Sequence, residues 1–423
     1  MTGVVSKPPV GLAAEADSDL AGSLGHPMRL LVLCYELPPV GGGTGVACSQ
    51  VLRLLSLRRD LRIEVISSSP SPEAQRYTSG NMTVHLLPVG KRQLSFWQPD
   101  ELLRWMVGAA RLARKLAREA PFDLCHCWSG LPSGIVGWWL RDRQPYLVSL
   151  RGSDVPGYNR RLRWLDPLLL RHLARRVWGH SAGVFAVSPT LRSMAQATAP
   201  ELTIGVLPNG VDGDFFQPRD NLGRSSFVFA GRLIERKGVD TLFQAVRIVA
   251  TRHPQLRLTV AGDGPEREAL LTLRETLGIG AQVSLVGRLD REQLARTLGD
   301  AGVIVLPAVT DAMPNVVLEG MAAGMAVIAT DTSASSIVDD NGQLVPARDP
   351  GALAAAIERY LDDPGLLAAH QRRSRELAWQ RSWDKVAQDH VVRFQRAMLA
   401  LPAGAAAATA PTRLRRLGRK QVH

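Results

Sequence analysis

Gly231-Arg232-Leu233-Ile234-Glu235-Arg236-Lys237-Gly238 is the stretch on which the reading of this chain turns. The apolar run Phe227-Val228-Phe229-Ala230 precedes it and predicts a buried strand, and the amphipathic run after it predicts a helix. Arg232 and Lys237 therefore belong at the carboxyl end of a strand, where open α/β sheets bind their ligands. Two cations on a glycine-bounded turn suit a diphosphate, because Arg presents a planar fork of donors and Lys a point charge. Taken alone, the same pattern also describes a solvated basic turn.

A second segment shifts the balance. After the apolar run Val303-Ile304-Val305-Leu306, Asp311 and Glu319 bracket Asn315, with Pro314 between them and Gly324 closing the stretch. A loop opening into a helix is the natural reading, with Pro314 near the first turn and amides free for an anion or a polar ligand. Four further signals fall at comparable places. They are Leu33-Cys34-Tyr35-Glu36-Leu37-Pro38-Pro39-Val40-Gly41-Gly42-Gly43 after the first strand, Leu150-Arg151-Gly152-Ser153-Asp154 after another, Val206-Leu207-Pro208-Asn209-Gly210-Val211-Asp212 midway, and Gly262-Asp263-Gly264-Pro265 after the strand Leu256 to Ala261.

In this order the motifs resemble the retaining glycosyltransferases of family 4, and the resemblance runs from about Met28 to Ala397. It implies the GT-B architecture: two Rossmann-like, doubly wound parallel-sheet domains facing a central cleft. It also implies a nucleotide diphosphate sugar as donor, an acceptor that is a glycan, a lipid-linked molecule or a small molecule, and no metal or other cofactor. Arg232, Lys237 and Asp311 then stand at catalytic positions, the first two facing the departing diphosphate and Asp311 touching the donor sugar. Glu319 falls where the family grips the ribose, which is chemically sensible because a carboxylate accepts from two hydroxyls. Gly41, Gly42 and Gly43 form the loop over donor phosphate and acceptor, and Arg151, Asp154 and Asn315 complete the expected substrate-binding set.

Three departures qualify the resemblance. Asp311 stands where Glu is usual, which retracts the acceptor by one methylene. Arg151 replaces a common His and cannot act as a base at neutral pH, leaving it to bind phosphate or to support geometry. The segment Thr330 to Gly342 is shorter than in relatives, which bears on support of the nucleotide site. Asp154 is open to two readings, a sugar ligand or a cap on the following helix. Together these departures motivate an alternative function: a non-catalytic or weakly active nucleotide-sugar-binding member of the same fold, acting in an assembly for glycan biosynthesis.

Length and composition agree with two domains. A chain of 423 residues exceeds the usual size of one core, and the motifs divide it into 28–215 and 216–400. Residues 1–27 are small and polar, and 401–423 are low in complexity and basic, so both ends are expected to be disordered. The first domain alternates strands (Leu30 to Cys34, Ile63 to Ser67, Val84 to Leu87, Asp123 to Cys127, Tyr146 to Leu150, Val184 to Val187) with helices, among them Glu101 to Glu119 and Pro167 to Trp178. The second repeats the alternation, with strands at 226–230, 256–261, 282–286, 303–306 and 325–329. Such alternation implies parallel sheets covered by helices. Three helical stretches follow Pro350, and in the resembled family the last returns to the first domain.

The net charge of +12 is uneven, since residues 28–215 carry 23 Lys and Arg against 14 Asp and Glu while 216–400 balance at 22 each. No recognised nucleic-acid motif accompanies the excess, so nucleic acid is not an expected partner. Part of it lies in Arg160 to Trp178, where Arg is mixed with Trp and Leu; this reads either as a packed helix with a solvated basic face or as a segment for an anionic membrane surface. No run reaches the length of a membrane span and the first 27 residues lack a signal-peptide layout. A cytoplasmic protein is expected, with peripheral membrane attachment left open. Cys125-His126-Cys127 invites a metal reading, but strand alternation turns His126 away from both cysteines, and no second cluster completes four ligands. Asp212-Gly213-Asp214 resembles a metal-binding aspartate pair, yet its place in the crossover favours a turn.

Overall fold

The computed structural model describes residues 25–94, 96–158, 169–219 and 222–399. Apart from 25–27, the two ends expected to be disordered lie outside the described residues, as does 160–168 of the basic segment.

The first sheet holds β1 (Met28–Leu33), β2 (Leu61–Ser69), β3 (Gln75–Ser79), β4 (Met82–Pro88), β5 (Leu124–Cys127), β6 (Tyr146–Leu150), β7 (Gly183–Ala186) and β8 (Ile204–Val206), in the spatial order β3-β4-β2-β1-β5-β6-β7-β8. Every pair is parallel except β3 with β4. Its helices are α1 (Gly43–Leu55), α2 (Pro99–Glu119), α3 (Ser133–Leu140), α4 (Arg171–Gly179) and α5 (Pro189–Thr198). The near-continuous apolar strands are those of a sheet covered on both faces. Leu30, Val32 and Leu124 pack to one side, and Leu31, Leu33, Cys125 and Cys127 to the other. The antiparallel β3 escaped the sequence reading because all five residues are exposed and mostly polar, leaving no buried face to generate alternation.

The second sheet is parallel throughout, β9 (Phe227–Ala230), β10 (Leu258–Ala261), β11 (Val283–Gly287), β12 (Val303–Leu306), β13 (Ala326–Thr330) and β14 (Gly342–Val345), in the order β11-β10-β9-β12-β13-β14. Around it lie α6 (Val239–Ala250), α7 (Arg267–Thr276), α8 (Arg291–Gly299), α9 (Asn315–Ala322), the short α10 (Asp331–Ala334), α11 (Pro350–Asp362) and α12 (Pro364–Trp379). The architecture is GT-B: two parallel-sheet α/β units.

The final helix, α13 (Trp383–Leu399), leaves the second sheet and packs on the first. Trp383, Val386, Val391 and Phe394 are buried in one core with Met28, Leu30 and Leu52. Val211, on the way out of the first unit, pairs with Ser382 on the way back, and its N–H donates to the Arg381 carbonyl at 2.8 Å. The two crossings thus lie side by side.

In each sheet the strand order reverses beside the first strand, between β1 and β5 and between β9 and β12. A crevice opens at such a point at the carboxyl ends of the strands. The loops after β1, β6, β8, β9 and β12 all reach one cleft of about 380 Å³.

Candidate active site

The floor on the second-domain side is the turn from Gly231 to Gly238. Its shape depends on glycine at two places where a Cβ has no room. Gly238 has φ +66, and a Cβ there would stand 2.2 Å from the Pro307 carbonyl oxygen; Gly262 has φ +152, and its Cβ would meet the Gly231 oxygen at 1.8 Å. The loop after β10 therefore packs backbone to backbone beneath the cation turn, with the Leu233 N–H donating to the Asp263 carbonyl at 3.0 Å. The Gly-x-Gly at 262–264, quoted in the sequence as a motif without a role, supports the turn that carries Arg232 and Lys237.

Lys237 is buried and donates from Nζ to Oδ2 of Asp311 at 2.5 Å. Burial acts to raise the Asp311 carboxyl, but the Lys237 charge and hydrogen bond, aided by Arg236 and the Ala312 N–H, hold it below the ordinary value. Arg232 projects exposed into the same cleft. Arg236, quoted in the motif without a role, donates to the Tyr158 hydroxyl at 3.2 Å and to the Thr310 carbonyl at 3.1 Å. Tyr158 gave no signal in the sequence; burial, with Asp311 nearby, pushes its hydroxyl up to about 12.

Glu319 projects from α9 into the cleft, and burial raises its carboxyl to about 7 against the opposing pull of Arg291. Asn315 stands at the start of the same helix. Its amide donates to the Gly43 carbonyl at 3.1 Å, and its oxygen accepts from Asn209 at 2.6 Å. Asn209 in turn accepts from Arg151 at 2.9 Å. One chain of polar contacts, Arg151 to Asn209 to Asn315 to Gly43, thus crosses the cleft between the domains.

Two of the three loop glycines, Gly42 and Gly43, line the cleft, while Gly41 turns inward with φ +88, so that a Cβ would lie 2.3 Å from a Glu36 carboxylate oxygen. Glu36 was missed as a functional candidate although it lies in the quoted motif. Burial raises its carboxyl to about 7, opposed chiefly by the charge of Arg232. A buried carboxyl beneath a glycine loop leaves no periodic trace, so only the tertiary contact reveals it.

Arg151 lines the cleft, stacked over the Trp128 ring at 3.8 Å, and burial lowers its guanidinium to about 10, which leaves it charged at neutral pH. Asp154 is placed elsewhere. It is buried behind the cleft, and its carboxylate accepts from the backbone N–H groups of Gly130 (2.6 Å), Arg151 (2.9 Å) and Gly152 (2.7 Å). It therefore ties two cleft loops together and neither lines the cavity nor caps the following helix. Three convergent amides, two from its own loop and one from Gly130, satisfy the buried carboxylate.

The remaining sequence candidates lie outside the cleft. Asp212 accepts from the Phe215 N–H at 3.2 Å and from Arg291 at 2.8 Å, as a turn residue does. Cys125 and Cys127 are buried on one face of β5, and His126 on the other packs against Trp128, His390 and Phe394. Among the described residues no group of three or more His, Cys, Asp or Glu is placed to hold a metal ion. The short segment after β13 forms α10, with Ala334 and Ile337 packed in the same core as Val317 and Leu318 of α9. In α4, Trp178 is buried while Arg171, Arg175 and Arg176 are exposed. No helix among the described residues is long and apolar enough to cross a membrane.

Two family models match the chain, "Glycosyl transferase 4-like domain" over residues 42–210 and "Glycosyl transferases group 1" over 224–363. A GDP-mannose-dependent alpha-(1-6)-phosphatidylinositol monomannoside mannosyltransferase of Mycobacterium tuberculosis is 30% identical over 264 residues, spanning 57% of this chain and 67% of that one. Among solved structures, sucrose-phosphate synthase from Thermosynechococcus elongatus superposes with a TM-score of 0.77 at 22% identity, covering 88% of this chain and all of that one. HepE from Anabaena, in complex with UDP-glucose, superposes with a TM-score of 0.68 at 17% identity, covering 87% and 99%.

Proposed function

The chain belongs to the group 1 glycosyltransferases, nucleotide-sugar-dependent enzymes of GT-B architecture, and from that premise we propose that it is a retaining, metal-independent transferase. It moves a sugar from a nucleoside diphosphate to an acceptor hydroxyl held by the first domain. The observation that carries this reading is the convergence of Arg232, the Lys237–Asp311 pair and Glu319 on one wall with the Gly42–Gly43 loop and Arg151 on the other.

Breaking the anomeric carbon–oxygen bond places negative charge on the departing diphosphate. Preorganised cations in a confined cleft stabilise that charge without solvent reorganisation, and Arg232 and Lys237 fill this role in place of a metal ion. Asp311, bound to Lys237 and held ionised, orients Nζ and offers its remaining oxygen to a hydroxyl of the donor sugar. As the acceptor oxygen bonds to the anomeric carbon from the side the diphosphate leaves, its proton passes to the departing phosphate oxygen. Glu319 accepts from the ribose hydroxyls.

The test is turnover of a panel of UDP- and GDP-sugars with cell-derived acceptors in chelator, with the anomeric configuration of the product read by proton NMR. Retained configuration in chelator supports the reading; inversion, or strict dependence on an added divalent cation, overturns it. Nucleotide binding without turnover across the panel favours instead a non-catalytic binding member.

A further inference from the structure

We propose that Arg151 forms an anion subsite beside the transferred sugar, distinct from the diphosphate cations, and that donor or acceptor carries a carboxylate or phosphate there. This rests on the nucleotide-sugar reading of the cleft.

Arg151 is partly buried, with its Nε enclosed, and a guanidinium withdrawn in part from water is destabilised unless a counter-charge and hydrogen bonds compensate it. Among the described residues Arg151 has one hydrogen bond from its guanidinium, to Asn209 at 2.9 Å, and one ring face under it, Trp128 at 3.8 Å. Its Nε is buried without a partner, and no carboxylate forms an ion pair with it among the described residues. The carboxylate of its own loop, Asp154, is engaged by the three backbone N–H groups of Gly130, Arg151 and Gly152. The histidines on the Trp128 side, His126 and His390, supply no negative charge; burial drives both well toward the neutral form, and Arg151 adds to the effect.

The guanidinium is nevertheless held in one orientation. Trp128 fixes its plane, and Asn209, whose amide is anchored on Asn315, fixes one edge. The fork lines the cleft, where a planar pair of donors matches carboxylate or phosphate geometry. Its loop also abuts the loop that carries Asp311, since a Cβ on Gly152 would lie 3.1 Å from the Ala312 Cβ. Arg232 and Lys237 approach from the opposite domain, so the two cation sets address different parts of the substrates. A neutral sugar hydroxyl would give this partly buried charge one hydrogen bond, whereas an anion supplies both the hydrogen bonds and the counter-charge.

Calorimetry with the full-length protein tests this in two arms. In the donor arm, UDP-glucose is compared with UDP-glucuronate, and GDP-mannose with GDP-mannuronate. In the acceptor arm, the protein saturated with UDP or GDP is titrated with glucose, glucose 6-phosphate and inorganic phosphate. Arg151→Gln and Arg151→Lys are measured beside the wild type. The charged member should bind about tenfold or more tightly in one arm, as charge-assisted hydrogen bonds do; which arm responds identifies donor or acceptor as the source. Arg151→Gln should abolish the preference and Arg151→Lys retain part of it. The readout is the ratio of charged to neutral ligand, which a general loss of binding in a variant leaves alone. Nucleotide binding with no preference in either arm, or a preference that persists in Arg151→Gln, overturns the inference alone. Failure of both UDP and GDP to bind overturns the nucleotide-sugar reading and the inference with it.

Discussion

Arg232 and Lys237 differ in how cleanly they can be tested. Arg232 is exposed in the cleft, so Arg232→Ala should fold normally and lower kcat by on the order of a hundredfold or more, the usual cost of losing one electrostatic donor. Lys237→Ala should lose at least as much activity but also strand Asp311, whose side chain is 13% exposed. Breaking a buried ion pair costs roughly 3–5 kcal/mol, so this variant should also melt earlier. Steady-state rates and thermal melts of the two variants check both statements, and near-normal turnover in both would reject the assignment. Glu319 provides a pH test. Its carboxyl stands at about 7 in the free protein, and ribose hydroxyls need the ionised form as acceptor. Through Glu319, nucleotide affinity should therefore rise as pH increases through about 7 and level off above, this group contributing release of a proton on binding. Glu36, also near 7 and facing Arg232, acts with the opposite sign, because a bound diphosphate disfavours its ionisation. Calorimetry of Glu319→Gln and Glu36→Gln in buffers of different ionisation enthalpy separates them: only the first should lose proton release.

At the scale of elements, α13 is the unusual part. It belongs by sequence to the second half and by packing to the first, where Phe394 is buried with Met28 and Leu30. Phe394→Ala should cost about 3 to 5 kcal/mol, the typical penalty of emptying such a site, read as a shift in urea unfolding; a change below about 1 kcal/mol would show the helix to be only loosely docked. The basic helix α4 makes the contrary case. Its Trp178 is committed to the core, so among the described residues of this helix the exposed arginines have no aromatic anchor of the kind an interfacial helix uses. Sedimentation with anionic liposomes should therefore show at most weak binding that moderate salt abolishes, as expected for surface charge alone. Binding that survives moderate salt would support the membrane reading.

For the whole molecule, closure of the cleft depends on the polar chain through Asn209 and Asn315. Asn315→Ala removes the contacts to both Gly43 and Asn209, so it should loosen the approach of the domains. The expected signs are a larger radius of gyration in small-angle scattering and a higher donor KM. An unchanged radius with raised KM would mean that Asn315 acts only on the ligand.

The sequence by itself determined the strand–helix alternation, the two sheets without β3, β8 and β14, and most of the residues at the carboxyl ends of their strands. Gly231 to Gly238 and Asp311 to Glu319 were legible because a cation turn or a carboxylate helix after an apolar strand is a local pattern, written over a few neighbouring positions. The tertiary structure decided what those residues touch. That Asp154 faces backbone amides and not the cleft, that Gly41 covers Glu36 while Gly42 and Gly43 line the cavity, and that Arg151 rests on Trp128 all depend on segments tens of residues apart meeting in space. Local periodicity records which side of an element is buried, but the identity of a polar partner is set by packing between elements, and hydrogen bonds of that range leave no regular spacing in a single chain.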